Sequence, residues 1–175
     1  TNRVKALYPD CIPHPMIHRL DMDTSGLIVV ARNKEAQRHI AKQFEARETE
    51  KRYEALLEGH IDQKGGIIEL PFRLDVDNRP YQIYDDMHGK WGITHWQNLG
   101  IEGPYTRIAF TPITGRTHQL RLHSAHTKGL GIPIVGDPLY GTAAQSGSMK
   151  LHAAHLSFRH PETENLLSFT SNPPF

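Results

Sequence analysis

Cysteine is almost missing from this chain of 175 residues, with Cys11 standing alone. One cysteine excludes an internal disulfide and a zinc site built from several thiolates, and it fits a reducing cytoplasm. Cys11 itself is expected to be inert. Long apolar runs are missing as well. No stretch approaches the roughly 20 residues needed to span a membrane, and Thr1-Asn2-Arg3-Val4-Lys5 carries no signal-peptide apolar region. No membrane role is expected. Excess charge of either sign is also scarce, since 20 Lys and Arg against 19 Asp and Glu leave a formal net charge of +1. A nucleic-acid surface, if present, must therefore be local. The chain has no G-x-x-x-x-G-K-[ST] loop, G-x-G-x-x-G fingerprint or G-x-S-x-G elbow, which leaves nucleoside triphosphates, dinucleotides and serine-hydrolase chemistry without support. Internal repeats and low-complexity tracts are absent.

What is present describes an ordinary globular chain, 38% hydrophobic and 22% charged, of a length suited to one domain over residues 1–175. Leu27-Ile28-Val29-Val30-Ala31 reads as a strand buried on both faces. Asn33 is placed to cap a following helix whose Ala36, Ile40 and Phe44 form one apolar stripe, while Lys34, Arg38 and Lys42 make a basic face for solvent or phosphate. Strand-like runs follow at Tyr53–Gly59 and Gly66–Pro71, then Gly92–Trp96 paired with Tyr105–Phe110, with turns at Asp77–Pro80 and His88–Lys90. Alternation of Tyr105, Arg107 and Ala109 against Thr106, Ile108 and Phe110 predicts a sheet with one covered face. His118–Ser124 reads as a helix start, and Leu156–Phe158 and Leu166–Phe169 as closing strands. The fold expected is mixed α+β, mainly antiparallel sheet with flanking helices and loops. The first clear element comes late, after Tyr8–Pro15, so an upstream segment is expected to be missing.

Three constellations carry chemistry. His18-Arg19-Leu20-Asp21, followed by Thr24-Ser25-Gly26, crowds an acid, cations and small polar residues ahead of a strand; the same residues also suit a plain Asx turn. Thr114-Gly115-Arg116-Thr117-His118-Gln119-Leu120-Arg121-Leu122-His123 sets two arginines and two histidines at five-residue spacing. Guanidinium forks of this kind can hold a carboxylate or grip phosphates, or make a surface ion-pair cluster. Lys51-Arg52-Tyr53 places a phenol behind two cations, where it can transfer a proton, stack on a base or simply pack. His152-Ala153-Ala154-His155 lacks the H-E-x-x-H pattern and a cysteine pair, so no metal is expected.

In this order the stretches resemble the RluA-type family of RNA pseudouridine synthases. His18–Asp21 with Thr24–Leu27, Lys51–Tyr53, Gly89-Lys90 with Thr94 and Trp96, Ile113–His123, Gly136-Asp137-Pro138-Leu139-Tyr140-Gly141 and Leu151-His152-Ala153 carry the likeness. Two departures are an upstream Lys-Pro strand segment, sometimes preceded by an S4 module, that is not seen, and Gly92 where alanine is expected. The resemblance implies the pseudouridine synthase fold and isomerisation of a uridine in ribosomal RNA and/or a tRNA anticodon stem-loop, by a cytoplasmic monomer without cofactor or metal. It implies Asp21 as the catalytic carboxylate and Arg116 as its ionic partner. Tyr53 would stack on the extruded uracil and transfer a proton, with Lys51 and Arg52, close in sequence, expected to help a phenolate form. Arg19 would fill the gap left in the RNA stack. Thr24 and Ser25 would shape the loop that presents Asp21, and with Lys51, His118 and Arg121 contact the RNA. Two other readings stand beside it, an inactive RNA-binding domain derived from the same family and a metal-dependent hydrolase.

Overall fold

A computed structural model describes residues 2–142 and 147–175; Thr1 of the N-terminal stretch lies outside them. A short helix α1 (Asn2–Leu7) precedes the late-starting elements that the sequence displays. Strand β1 (Ser25–Gly26) leads to helix α2 (Lys34–Ala46), then β2 (Glu50–Leu57), β3 (Gly65–Leu74), β4 (Gln82–Tyr84), β5 (Lys90–Glu102) and β6 (Tyr105–Pro112). Helix α3 (Gln119–Ala125), β7 (Leu151–Arg159) and β8 (Leu166–Thr170) complete the chain. One sheet has the order β1-β7-β2-β6-β5-β3-β4, with β8 also on β7; only β1 with β7 is parallel. The mixed α+β expectation holds.

Local chemistry accounts for these elements. Asn33 Oδ1 accepts from the Ala36 amide at 2.8 Å, a cap worth about 1 kcal/mol, and starts α2. Ile40 and Phe44 of that helix pack on Leu156 and Phe158 of β7, while Lys34, Arg38 and Lys42 stay exposed. In β6, Thr106, Ile108 and Phe110 are all 0% exposed, as the alternation predicts. Burial of each large apolar side chain contributes about 1.5–3 kcal/mol.

Leu27–Ala31 is not the central strand that its apolar run implies. After Gly26 only Leu27 N–H reaches Ala153 O at 2.9 Å, and Val30 makes a lone bridge with Met16. The run is apolar because Leu27 and Val29 pack under α2, which buried loop residues do as well as strand residues.

The position of the site follows from a bulge. Arg52 pairs with His155 and Tyr53 with Ala153, so Ala154 is unpaired and the alternation along β7 shifts by one. Leu151, which packs beneath Leu120 and Leu122 of α3, thereby shares a sheet face with Leu156 and Phe158, which pack beneath α2. The two helices lie on one side of the sheet with a gap between them.

Candidate active site

Into that gap runs the loop before β1. The Thr24 amide donates to Asp21 O at 3.1 Å and closes a turn, after which Ser25 and Gly26 pair with His152 and Ala153. Gly26 has φ +107°, and a Cβ there would stand 2.4 Å from Ala153 O, so no side chain fits. The Ser25 hydroxyl faces inward, 2.8 Å from His152 Nδ1, and His152 Nε2 lies 3.0 Å from Ser171 Oγ. Ser25 thus anchors the loop to the sheet. His152 has both ring nitrogens engaged this way.

The Asp21 side chain is 18% exposed, and its partner within ion-pair distance is Arg121 of α3, with Nη1 3.7 Å from Oδ2. Arg116, the partner expected, is exposed and makes no ion pair among the described residues. The reason is where α3 begins. Arg116 sits in the loop ahead of it, its amide donating to Gln119 Oε1 at 3.0 Å, whereas Arg121 lies on the helix itself and is 3% exposed, enclosed between Asp21 and Asp137. That burial also withdraws Arg121 from RNA.

Asp137, wholly buried, holds Arg121 through a two-pronged contact, accepting from Nε at 2.8 Å and from Nη2 at 2.6 Å. Burial by itself would raise the Asp137 carboxyl; the hydrogen bonds from Arg121 and from the Leu139 and Tyr140 amides together hold it below its usual value. The Tyr140 ring lies 5.2 Å from the Arg121 guanidinium carbon, and its hydroxyl accepts from the Gln82 amide and meets His118 Nδ1 at 3.0 Å. His118, itself buried at φ 55°, joins this support and also lines the cavity. Burial lowers its pKa, with Asp21 opposing, so the ring is largely neutral at pH 7.

Gln119 fixes the loop on the other side. Its Oε1 accepts from Thr114 Oγ1 at 2.7 Å and from the Arg116 amide, while Nε2 donates to Ile93 O and Thr94 Oγ1. Thr94 is fully buried, which makes this a rigid seat. Asp137, Tyr140, Gln119 and His152 received no role from sequence, although all four lie within motifs that carry the family likeness. The usable signal was an acid followed by a tyrosine in the apolar stretch after Val135.

A cavity of about 150 Å³ results, lined by Asp21, Tyr53, Arg19, Thr24, Lys51, Arg116 and His118 among others. The sequence candidates other than Ser25 and Arg121 therefore do meet around one space. Tyr53, on β2, is pushed up to about 12 by burial and then by the Asp21 charge. The expected help toward a phenolate is not realised. Arg52 is exposed and pairs with Glu54 at 3.2 Å, and the net surroundings of Tyr53 favour the neutral phenol. Among the described residues no group of three or more His, Cys, Asp or Glu converges as a metal site, and no helix is long and apolar enough to cross a membrane.

This arrangement has relatives. The family described as RNA pseudouridylate synthase matches residues 12–126. The chain is 44% identical over 178 residues to the dual-specificity RNA pseudouridine synthase RluA of Pasteurella multocida, covering 99% of this chain and 78% of that protein. It is 38% identical over 177 residues to the protein of that name in Escherichia coli, with the same coverage of 99% and 78%. The solved structure of human RNA Pseudouridylate Synthase Domain Containing 1 superposes with a TM-score of 0.83 at 30% identity, over 99% of this chain and 73% of that one. Likeness over almost the whole length, in sequence and in fold, places the chain in the RluA-type family of RNA pseudouridine synthases, which are isomerases.

Proposed function

We propose that this chain converts a specific uridine in structured RNA, ribosomal RNA and/or a tRNA anticodon stem-loop, to pseudouridine, using Asp21 as the catalytic carboxylate on a base flipped out of the RNA. The observation that carries the proposal is one cavity lined by a part-exposed carboxylate and a protonated tyrosine, with the buried Arg121 guanidinium behind the carboxylate. The isomerisation breaks the bond from C1′ to N1, rotates the uracil and forms a bond from C1′ to C5; the C5 proton leaves and N1 gains one. Asp21 attacks or otherwise activates the nucleotide, and Arg121 offsets the cost of enclosing that charge. Tyr53 stacks on the uracil and takes part in proton transfer. Arg116, in the seat made by Gln119, reaches the cavity as a cation toward the substrate. Arg19 and Lys51 line the same cavity, and Arg19 fills the gap in the RNA stack, offsetting the few kcal/mol that extrusion costs. Thr24 contacts the substrate where the loop turns. The reaction as proposed needs no metal or cofactor, and a monomer suffices.

Tritium release tests the proposal, because formation of the new C5 bond expels the hydrogen at C5. RNA carrying [5-³H]uridine is expected to lose tritium in proportion to pseudouridine formed. Binding of ribosomal and tRNA anticodon transcripts without release from either would instead support the inactive RNA-binding domain.

A further inference from the structure

Beside the Asp21 cavity lies a second cleft of about 540 Å³, between the C-terminal end of α2 and the loop before α3. Arg19, Arg47, Lys51 and Arg116 all line it, and Glu45 is the carboxylate they share it with. None of the four cations is in an ion pair among the described residues, and what sets them apart from the other lysines and arginines without a carboxylate partner is that they line one space. A protein of net charge +1 has thus gathered uncompensated cations at one place. Burial lowers the pKa of Lys51, and the nearby Arg47 charge lowers it further. A basic residue at a helix C-terminus complements the helix dipole, which accounts for Arg47 but not for the other three.

We infer that this cleft is an RNA phosphate site, gripping the backbone next to the target uridine through Arg47 and Lys51 while Arg19 and Arg116 border the catalytic cavity. The inference rests on the RNA substrate proposed above. The two spaces share Arg19, Lys51, Tyr53 and Arg116 and so adjoin, which sets the second within reach of the strand that carries a uridine into the first. A guanidinium with no carboxylate partner, and an ammonium whose internal contact is the Phe44 ring at 5.7 Å, are groups that bind phosphodiesters. Arg47 is new to the site, and its signal in the sequence is weak because it is separated from Arg19 and Arg116 until the chain folds.

Arg47 allows a clean test because it occupies the left-handed region, φ 60°. Asparagine tolerates that conformation, so Arg47→Asn removes the charge without backbone strain. The measurement is the affinity for a fluorescein-labelled RNA stem-loop with one loop uridine, taken over a series of salt concentrations. Arg47→Asn is expected to weaken binding and make the slope of log affinity against log salt shallower by about 0.7–0.9, the release expected for one phosphate contact. Glu45→Gln, which removes the carboxylate, is expected to tighten binding. Unchanged affinity and slope in Arg47→Asn would overturn the site, as would weaker binding in Glu45→Gln should Arg47→Asn not fold. Inorganic phosphate that raises the melting temperature of the wild type as far as the stem-loop does would mark a small-anion site instead, and overturn it too. Tritium release run in parallel separates the two proposals: release with an unchanged slope removes only this site, and a changed slope without release removes only the catalytic reading.

Discussion

Asp137 is buried away from the cavity lining, yet its grip on Arg121 sets that arginine beside Asp21. Removing Arg121 leaves that carboxylate buried and unpaired, so Arg121→Met is expected to cost about 3–5 kcal/mol of stability by equilibrium unfolding. Arg116→Met, at an exposed position, is expected to stay within about 0.5 kcal/mol of wild type, so that slower tritium release there reports on chemistry and not on folding. Asp21→Asn is expected to abolish release while fold and RNA affinity persist, since the amide is isosteric but cannot act as an anion. For Tyr53, a pKa of about 12 means that the side chain keeps its proton from pH 7 to 9. It can donate there, but accepting requires a phenolate present only in trace. Tyr53→Phe is expected to bind RNA almost normally and lose on the order of a hundredfold in single-turnover rate. An unchanged rate would leave the ring as a stacking platform alone; a wild-type rate rising tenfold per pH unit over this range would identify the phenolate as the acting form.

Among the elements, the two-residue β1 has an influence out of proportion to its length. It is the point at which the Asp21 turn is fixed to the sheet, by Gly26 against Ala153 and by the chain of contacts from Ser25 through His152 to Ser171. His152→Phe breaks both contacts of the imidazole. The turnover number is expected to fall with little change in RNA affinity, because the carboxylate is mispositioned while the phosphate contacts remain. Ser25→Ala is expected to act on the same link, so the double variant should be hardly worse than the poorer single one. Additive losses would show that the two side chains act separately. The same element marks where sequence patterning misled. Leu27–Ala31 has the composition of a buried strand, but apolar residues under a helix satisfy the same pattern without a ladder.

Across the whole molecule, a fully buried histidine and a half-buried one tie stability to pH. His123 is fully buried, with neither ring nitrogen bonded among the described residues, and burial lowers its pKa to about 4; His18, stacked on Phe44, is lowered to about 4 by burial and by Lys51. In the unfolded chain both titrate near 6.5, so between pH 4 and 6.5 the unfolded state binds more protons than the folded one. Stability therefore rises with pH through this window and is lost as pH falls from 6.5 toward 4, by about 3 kcal/mol for His123. The melting temperature at pH 5 is expected to lie below that at pH 7.5, and His123→Leu should narrow the gap. An equal gap in the variant would assign the acid sensitivity elsewhere. The position also gives Gly92 a reason, since a Cβ there would stand 2.5 Å from Phe72 Cε1 and 3.0 Å from His123 Nε2.

By itself the sequence determined the local matters: the cap at Asn33, the alternation in β6, the turns, and, through the order of its motifs, the family and the candidate Asp21 and Tyr53. These are legible because capping, strand period and motif spacing depend on residues close together along the chain. Which arginine pairs with Asp21, which way Ser25 points, and how Arg19, Arg47, Lys51 and Arg116 come to line one cleft were decided by tertiary structure. Those outcomes depend on the start of α3, the bulge at Ala154 and the burial of Asp137, and each joins residues tens of positions apart whose electrostatics exist only once the chain has excluded water from between them.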